Sequence, residues 1–395
     1  MAYNFEFYAP TKVIFGKDAE REAGKQAKAF GATSVMMVYG CGSVKRSGLL
    51  EKVRSALVEE GIALCELGDV VPNPRLDKVY EGIRIGKENR VDFLLAVGGG
   101  SAVDTAKAVA YGLAEPEHDV WELFAHVRMA KKCLPVASVL TIAAAGSETS
   151  KGCVITNGLT GEKRAYDDNL ARPKFAVMNP EYTKTLPDYQ TESGCVDIMM
   201  HTMERYFTNG GNMEITDALA EGLLRTVMKN AVTLHSEPED YDARAEIMWA
   251  GSLAHNDLTG CGNDGGDFMS HKLEHELGGM FDVTHGAGLA AIWPSWAVYV
   301  YRDCLPRFVR FARNVMGVTK EGTDEEIALA GIRAMERFYH SIGMPVNLEE
   351  LGIRPTDEQI EEMAKRCVDA SGAHTGSAKK LSEEDMIRIY TDARK

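Results

Sequence analysis

Five side chains in the second half of this chain have the types and spacing to gather a divalent metal. Asp197 and His201 stand four residues apart in VDIMMH, so a helix carries both on one face. His271 and His275 repeat that spacing in HKLEH, and His285 follows in THGAG at a turn before a further helix. A carboxylate and imidazoles drawn from three segments can close around a divalent cation, leave positions open for substrate and make the ion a Lewis acid. Such a set suits Fe(II) and Zn(II) about equally. Each pair also has an ordinary reading as two polar residues on a helix face. HKLEH further matches the H-x-x-E-H pattern of a class of metalloproteases, with Glu274 as general base. That reading leaves the first half of the chain without a purpose.

The first half carries two glycine turns. Gly98-Gly99-Gly100-Ser101 follows the apolar run FLLAV and opens a helix. Glycines let a backbone approach a ligand closely, and a helix N-terminus offers N–H groups and partial positive charge, so the turn fits a pyrophosphate. Its spacing is not GxGxxG, and a plain tight strand–helix turn is the alternative. Asp104 lies one turn into that helix, where a side chain can face the same crevice. The second turn, Gly40-Cys41-Gly42-Ser43, ends the run SVMMVY. Sites that prefer NAD place a carboxylate at such a strand end, for the ribose hydroxyls. Here the position is Gly40, with Ser43, Lys45 and Arg46 following. This favours a 2′-phosphate and hence NADP(H), with NAD(H) still possible; a solvated basic loop is the plainer reading.

The elements that must hold these residues change character along the chain. From about residue 30 to 180, short apolar runs alternate with amphipathic stretches. Strands are expected at Ser34–Tyr39, Ile62–Leu67, Phe93–Val97, Pro135–Thr141 and Phe175–Met178, and helices at Gly48–Glu60, Asp77–Asn89 and Ala102–Gly112. Continuous apolar strands alternating with helices indicate a parallel sheet covered on both faces. Beyond Pro187 the periodicity is helical, over Glu192–Phe207, Ile215–Leu234, Ala243–Leu253, Phe268–Leu277, Leu305–Met316 and Asp324–Ile342. The expected organisation is an α/β Rossmann-like dinucleotide-binding domain at 1–188 and an all-α domain at 189–395 that holds the metal. Leu186-Pro187-Asp188 is the boundary, because proline disfavours helix before it and suits a helix start after it.

Composition narrows the functions. The chain has 395 residues, 45% hydrophobic and 26% charged, an ordinary globular balance. Its net charge of −14 speaks against nucleic acid or an anionic membrane as the main partner. No signal peptide is read at Met1–Pro10, and the uncharged runs Cys133–Ser147 and Gly286–Tyr301 are too short to span a bilayer. Eight scattered cysteines without a CxxC pair read as reduced thiols of a cytoplasmic protein.

Taken as blocks, these residues resemble the iron-containing (group III) alcohol dehydrogenases, and within them the NADPH-dependent butanol dehydrogenases and aldehyde reductases. The likeness runs through FEFYAPTKVIFGKD near the start, PNP at 72–74, AVGGGSAVDTAKA at 96–108, AAAGSE at 143–148, GCVDIMMHTMERY at 194–206 and HKLEHELGGMFDVTHGAGLA at 271–290. It implies a dehydroquinate synthase-like fold and a homodimer. It places metal ligands at Asp197, His201, His271 and His285, and a non-ligand active-site histidine at His275, a candidate proton relay or merely an orienting group. It also implies a pyrophosphate turn at Gly99, Gly100 and Ser101, with Asn73, Asp104, Thr141 and Lys163 lining the cofactor cleft and Gly40 and Gly42 in the adenosine turn. Asp104 and His275 are the candidate catalytic residues. One departure is Ala145, where the family usually has threonine. The implied reaction is hydride transfer between NADP(H) and a small aldehyde or alcohol on the metal. A metabolite-binding relative without chemistry, or a lyase of the dehydroquinate synthase kind, would share the fold. The acidic and apolar surroundings of the ligand blocks, with Met199, Met200, Met203, Phe268 and Met269, suit a small aldehyde better than a phosphorylated sugar acid.

Overall fold

The computed structural model describes residues 2–40, 42–211, 213–372 and 374–395, so Cys41 of the second glycine turn lies outside it. The chain divides into two compact units, Ala9–Leu186 and Met1–Tyr8 with Pro187–Lys395. The opening segment therefore goes with the helical unit, not with the α/β domain as expected from sequence. The reason is local: the Tyr3 amide donates to the Gly262 carbonyl at 2.9 Å, and the Tyr3 ring sits where a Cβ on Gly211 would be.

Among the described residues of Ala9–Leu186, eight strands form: β1 Lys12–Phe15, β2 Ser34–Gly40, β3 Ala63–Val70, β4 Phe93–Gly98, β5 Val136–Leu140, β6 Gly152–Asn157, β7 Glu162–Asp167 and β8 Phe175–Met178. Six pair in parallel in the order β1-β8-β5-β4-β2-β3. β6 and β7 form a separate antiparallel pair. The helices are α1 Ala23–Ala29, α2 Ser43–Arg46, α3 Leu49–Glu59, α4 Leu76–Glu88, α5 Gly100–Ala114 and α6 Trp121–Phe124. Alternate strand residues point to opposite faces. Met36, Val38, Leu94 and Ala96 pack with Val79, Val103 and Ala106 of α4 and α5. Val35, Met37, Phe93 and Leu95 pack with Ala23, Ala27, Leu49 and Val53 of α1 and α3. Both faces are thus covered, which is why these strands read as unbroken apolar runs. From β2 the chain winds outward to β3, then crosses back to β4 and continues to β5 and β8. The order reverses between β2 and β4, which pair with Tyr39 opposite Val97.

The helical unit contains, among its described residues, α7 Asp188–Tyr206, α8 Glu214–Ser236, α9 Tyr241–His255, α10 Met269–Phe281, α11 His285–Val300, α12 Leu305–Asn314, α13 Asp324–Ser341, α14 Asp357–Ser371 and α15 Glu383–Asp392. α11 is the uncharged run HGAGLAAIWPSWAVYV. It is apolar nearly all round because most of it is buried, with Trp293 and Trp296 fully enclosed and Val298 exposed. No helix of the described residues is long and apolar enough to cross a membrane.

α11 meets α7 at backbone distance. A Cβ on Gly286 would lie 1.9 Å from the Ser193 carbonyl oxygen, an obstacle with no flexible side chain to yield. Gly286→Ala is expected to push α11, and His285 with it, away from α7. The expected loss is about 1–3 kcal/mol of stability, read by chemical denaturation; an unchanged midpoint would show that the two helices tolerate separation.

Candidate functional site

Steps of four and three residues keep Asp197, His201 and Glu204 on one face of α7. Asp197 Oδ1 lies 3.4 Å from His201 Nδ1, 3.5 Å from His271 Nε2 at the start of α10, and 3.7 Å from His285 Nε2 at the first residue of α11. One ligand atom each from Asp197, His201 and His271 falls within 4.8 Å of the others. Those atoms, Asp197 Oδ1, His201 Nδ1 and His271 Nε2, are buried and make no hydrogen bond. Leaving a buried polar atom unsatisfied costs roughly 1–3 kcal/mol, so a fold that gathers three in one place has a use for them. A divalent cation at their common focus would satisfy all three, and one carboxylate with imidazoles is a donor set for Fe(II) or Zn(II).

The outer nitrogens of two imidazoles are occupied. Glu204 accepts from His271 twice, one oxygen from the backbone amide at 3.0 Å and the other at ring Nδ1. Glu274 meets Nδ1 of His285 in the same way. Both carboxylates are buried, Glu274 completely. This corrects the metalloprotease reading: Glu274 of HKLEH is enclosed and engaged with a candidate ligand, not poised over a water. His275 is half-buried, its ring centre 6.3 Å from that of His271 and 6.0 Å from that of His285; both His275 and His285 fall outside the close group of three, but His285 Nε2 lies 3.7 Å from Asp197 Oδ1.

Two neighbours had not been singled out from the sequence. Glu204 carried a usable signal, since it lies seven residues after Asp197 on the same face. His255, at the end of α9, packs its ring 3.8 Å from that of His201; nothing in local spacing joins it to that site. Met199, Met200, Met203 and Met269, read as suiting an apolar substrate, are fully buried. The Phe268 ring lies under the Arg205 guanidinium at 4.9 Å.

Electrostatics divide the imidazoles. Burial first, then the neighbouring His255, His271, Arg205 and His285, hold His201 well below the usual histidine range, so it is neutral at pH 7 with a lone pair to offer. At His271 burial also acts downward, but the Glu204 charge, the hydrogen bond with Glu204 and the nearby Asp197 carboxylate outweigh it and push the group up to about 10.

The α/β unit sets the other candidate residues around the switch between β2 and β4, the place where open sheets of this kind bind nucleotides. Gly98 ends β4 and Gly100 begins α5. A Cβ on Gly99 would lie 2.1 Å from Ile142 Cγ2, and one on Gly100 3.3 Å from Ala145 Cβ, so the turn and the 142–145 loop touch. Ser101 lies in the first turn of α5, and Thr141 donates its amide to the Gly98 carbonyl at 3.0 Å. Asp104 is engaged within the unit: one oxygen accepts from Ser147 Oγ and the other from the Val154 amide at 3.0 Å. Burial pushes its carboxyl up, opposed by the charge of Lys107. Lys107 donates to the Ser150 and Gly152 carbonyls at 3.0 and 2.7 Å. Together they pin the loop after β5 and the start of β6. Lys163 is buried on β7 opposite Thr156. Asn73 is half-buried in the left-handed region. Gly40 ends β2, and a Cβ there would only touch the Val70 carbonyl at 3.4 Å. Gly42 precedes Ser43, the first residue of α2, and a Cβ on it would lie 2.6 Å from the mobile end of Arg46. Lys45 lies 3.9 Å from Asp69.

Because His271 holds a proton up to about pH 10, a metal taking its Nε2 must displace that proton. Metal affinity is therefore expected to rise with pH between 6 and 9, with about one proton released per ion near pH 7. Calorimetry in buffers of different ionisation enthalpy measures this; no proton release would remove His271 from the ligand set. His271→Ala is expected to lose the metal on dialysis, measured by elemental analysis.

Two family models cover most of the chain. Iron-containing alcohol dehydrogenase matches residues 10–180, and the C-terminal model of the Fe-containing alcohol dehydrogenase family matches 191–394. The chain is 41% identical to NADH-dependent butanol dehydrogenase A of Clostridium acetobutylicum, over 98% of each chain. It is 35% identical to the NADPH-dependent aldehyde reductase of Escherichia coli, over 99% of this chain and 100% of that one. A crystal structure of NADH-dependent butanol dehydrogenase A from Thermotoga maritima superposes with a TM-score of 0.95 at 38% identity, covering 100% of this chain and 99% of that one. The chain belongs to the iron-containing alcohol dehydrogenase family, as an oxidoreductase of alcohols and aldehydes that works with a nicotinamide cofactor and a metal.

Proposed function

We propose that the protein reduces short-chain aldehydes of the butanal type to primary alcohols with NADPH, at a metal held by Asp197, His201, His271 and His285. The observation that carries this reading is the convergence of two unsatisfied buried imidazole nitrogens, His201 Nδ1 and His271 Nε2, on the equally unsatisfied Asp197 Oδ1. Fe(II) or Zn(II) there would supply a Lewis acid to a substrate oxygen, and the nicotinamide would supply the hydride. The chain's own residues do the rest. Backbone amides at Gly100 and Ser101 face the pyrophosphate at the start of a fifteen-residue helix. Asp104 and Lys107 fix the loop that borders this turn, which makes Asp104 a positioning residue. His275, next to the ligands without joining them, holds or passes the proton at a ring nitrogen; free imidazole titrates near ~6.5, which suits the task.

The NADP(H) preference rests on Gly40, with Ser43, Lys45 and Arg46 after it. The relatives divide on this point, the clostridial one being named for NADH and the Escherichia coli one for NADPH. Loss of NADPH absorbance with butanal, run anaerobically on protein loaded with Fe(II) or Zn(II) beside an NADH control, tests the reading. Metal-dependent turnover that favours NADPH is the expected result; NADH turnover alone would overturn the cofactor preference. Since Gly40 has room for a side chain, Gly40→Asp is expected to shift the NADPH-to-NADH ratio of kcat/KM toward NADH by tenfold or more, about 1.4 kcal/mol.

A homodimer in the cytoplasm completes the proposal. Cys65, Cys133, Cys153, Cys195, Cys261 and Cys304 form no disulfide among the described residues, as in a reducing compartment. Tyr3, Phe5, Phe7 and Tyr8 are 44–52% exposed, an apolar strip of the kind a second copy covers. Light scattering is expected to find a dimer, and a monomer for Phe5→Ser with Phe7→Ser; a monomeric parent would refute it.

A further inference from the structure

We infer that Glu204 and Glu274 are positioning residues that set the tautomer and the aim of two metal-ligating imidazoles, linking α7, α10 and α11 in series. This rests on the metal reading above. An imidazole can donate at only one nitrogen when neutral, and the partner of that nitrogen decides which one stays open. A carboxylate accepts only, so Glu204 keeps a proton on Nδ1 of His271 and makes Nε2, 3.5 Å from Asp197 Oδ1, the nitrogen that a metal takes once its own proton has left. Glu274 does the same for His285, whose Nε2 lies 3.7 Å from the same oxygen.

The arrangement crosses between helices. α7 provides Asp197, His201 and the carboxylate that orients the ligand of α10. α10 provides His271 and the carboxylate that orients the ligand of α11. Each ligand is therefore fixed from the neighbouring helix, so an error in packing one helix is transmitted to the aim of the next imidazole. Glu204 is the stronger clamp, because its second oxygen also holds the His271 backbone amide at 3.0 Å. Room for Glu274 is made by α11: a Cβ on Gly288 would lie 2.9 Å from Glu274 Cγ. Gly288 is thus the residue that lets a carboxylate stand behind His285. Such outer carboxylates also raise the basicity of the imidazole they hold, and losing one typically lowers metal affinity 10- to 100-fold.

The experiment measures Zn(II) affinity by chelator competition and the Co(II) absorption spectrum, on parent, Glu204→Gln, Glu274→Gln, Glu274→Ala and Gly288→Ala proteins. Thermal unfolding of the metal-free proteins accompanies it. The glutamine variants keep an acceptor at Nδ1 but lose the charge, so about a tenfold loss of affinity is expected for Glu274→Gln. Glu274→Ala, which loses the acceptor too, is expected to fall about 100-fold with an altered Co(II) spectrum. Gly288→Ala displaces the carboxylate without deleting it and is expected to fall at least tenfold. Affinity and spectrum unchanged in Glu274→Ala and Gly288→Ala would overturn the inference. Should Glu204→Gln fail to fold, the two Glu274 variants and Gly288→Ala decide the matter. A parent protein that binds no Zn(II) would instead overturn the metal reading itself, which keeps the two failures apart.

Discussion

Everything in the helical unit answers to one buried oxygen. Asp197 Oδ1 makes no hydrogen bond, yet imidazole nitrogens from three helices stand 3.4–3.7 Å away. Such a position is costly without a cation, and it persists only if the surrounding packing over-determines it. That packing is visible in the close approach of α11 to α7 at Gly286, in the full burial of the four methionines around the ligands, and in α11 itself, apolar on nearly every side. The site is built by burying the rest of three helices well enough that their polar ends have no other place to go.

The α/β unit solves a different problem with a different device. Its sheet is parallel and covered on both faces, so each strand ends in a turn that opens a helix or a connection. Where strand order reverses, the ends of β2 and β4 lie side by side, where open sheets of this kind bind nucleotides. Glycine is needed at Gly99, where Ile142 leaves no space for a Cβ, but not at Gly40, where a side chain would meet only ordinary contact. The two turns look alike in sequence, yet one glycine is imposed by packing and the other is free to vary. This difference makes Gly40 informative about the nucleotide.

Much of this was legible in the sequence, for physical reasons that also explain the gaps. Strands β2, β4, β5 and β8 were readable because burial on both faces makes them continuous apolar runs. The pair β6 and β7, with sequences GCVITN and EKRAYD, carries too many polar residues for such a run, and β1, KVIF, is exposed at both ends where the equally short β8 is buried throughout. α11 was foreseen only as a helix without bounds after His285, because its polarity has no period: a helix buried over most of its surface shows no amphipathic face, and Pro294 within it reads as a break. In the site, spacing within each segment could name Asp197, His201, His271, His275 and His285 as candidates, and only the family resemblance set His275 apart from the other four. His255 could not, because its place against His201 is set by the packing of α9 on α7, which no local pattern encodes.

The segment HKLEH shows how one turn of helix separates three roles that a pattern match runs together. His271 and His275 are four residues apart and share a face. His271 is drawn into the cluster because Glu204 on α7 holds both its ring and its backbone amide. His275 is one turn farther along, with its ring more than 6 Å from the rings of His271 and His285, and stays near the cluster without entering it. Glu274, next to it in sequence, points about 100° away around the helix and reaches Nδ1 of His285. The same five letters would serve a protease if Glu274 faced an open metal and both histidines were ligands. Here the partner on α11 takes the glutamate, the partner on α7 takes the first histidine, and the second histidine stays beside the cluster. The chemistry of the segment is decided by which neighbouring helices claim its side chains.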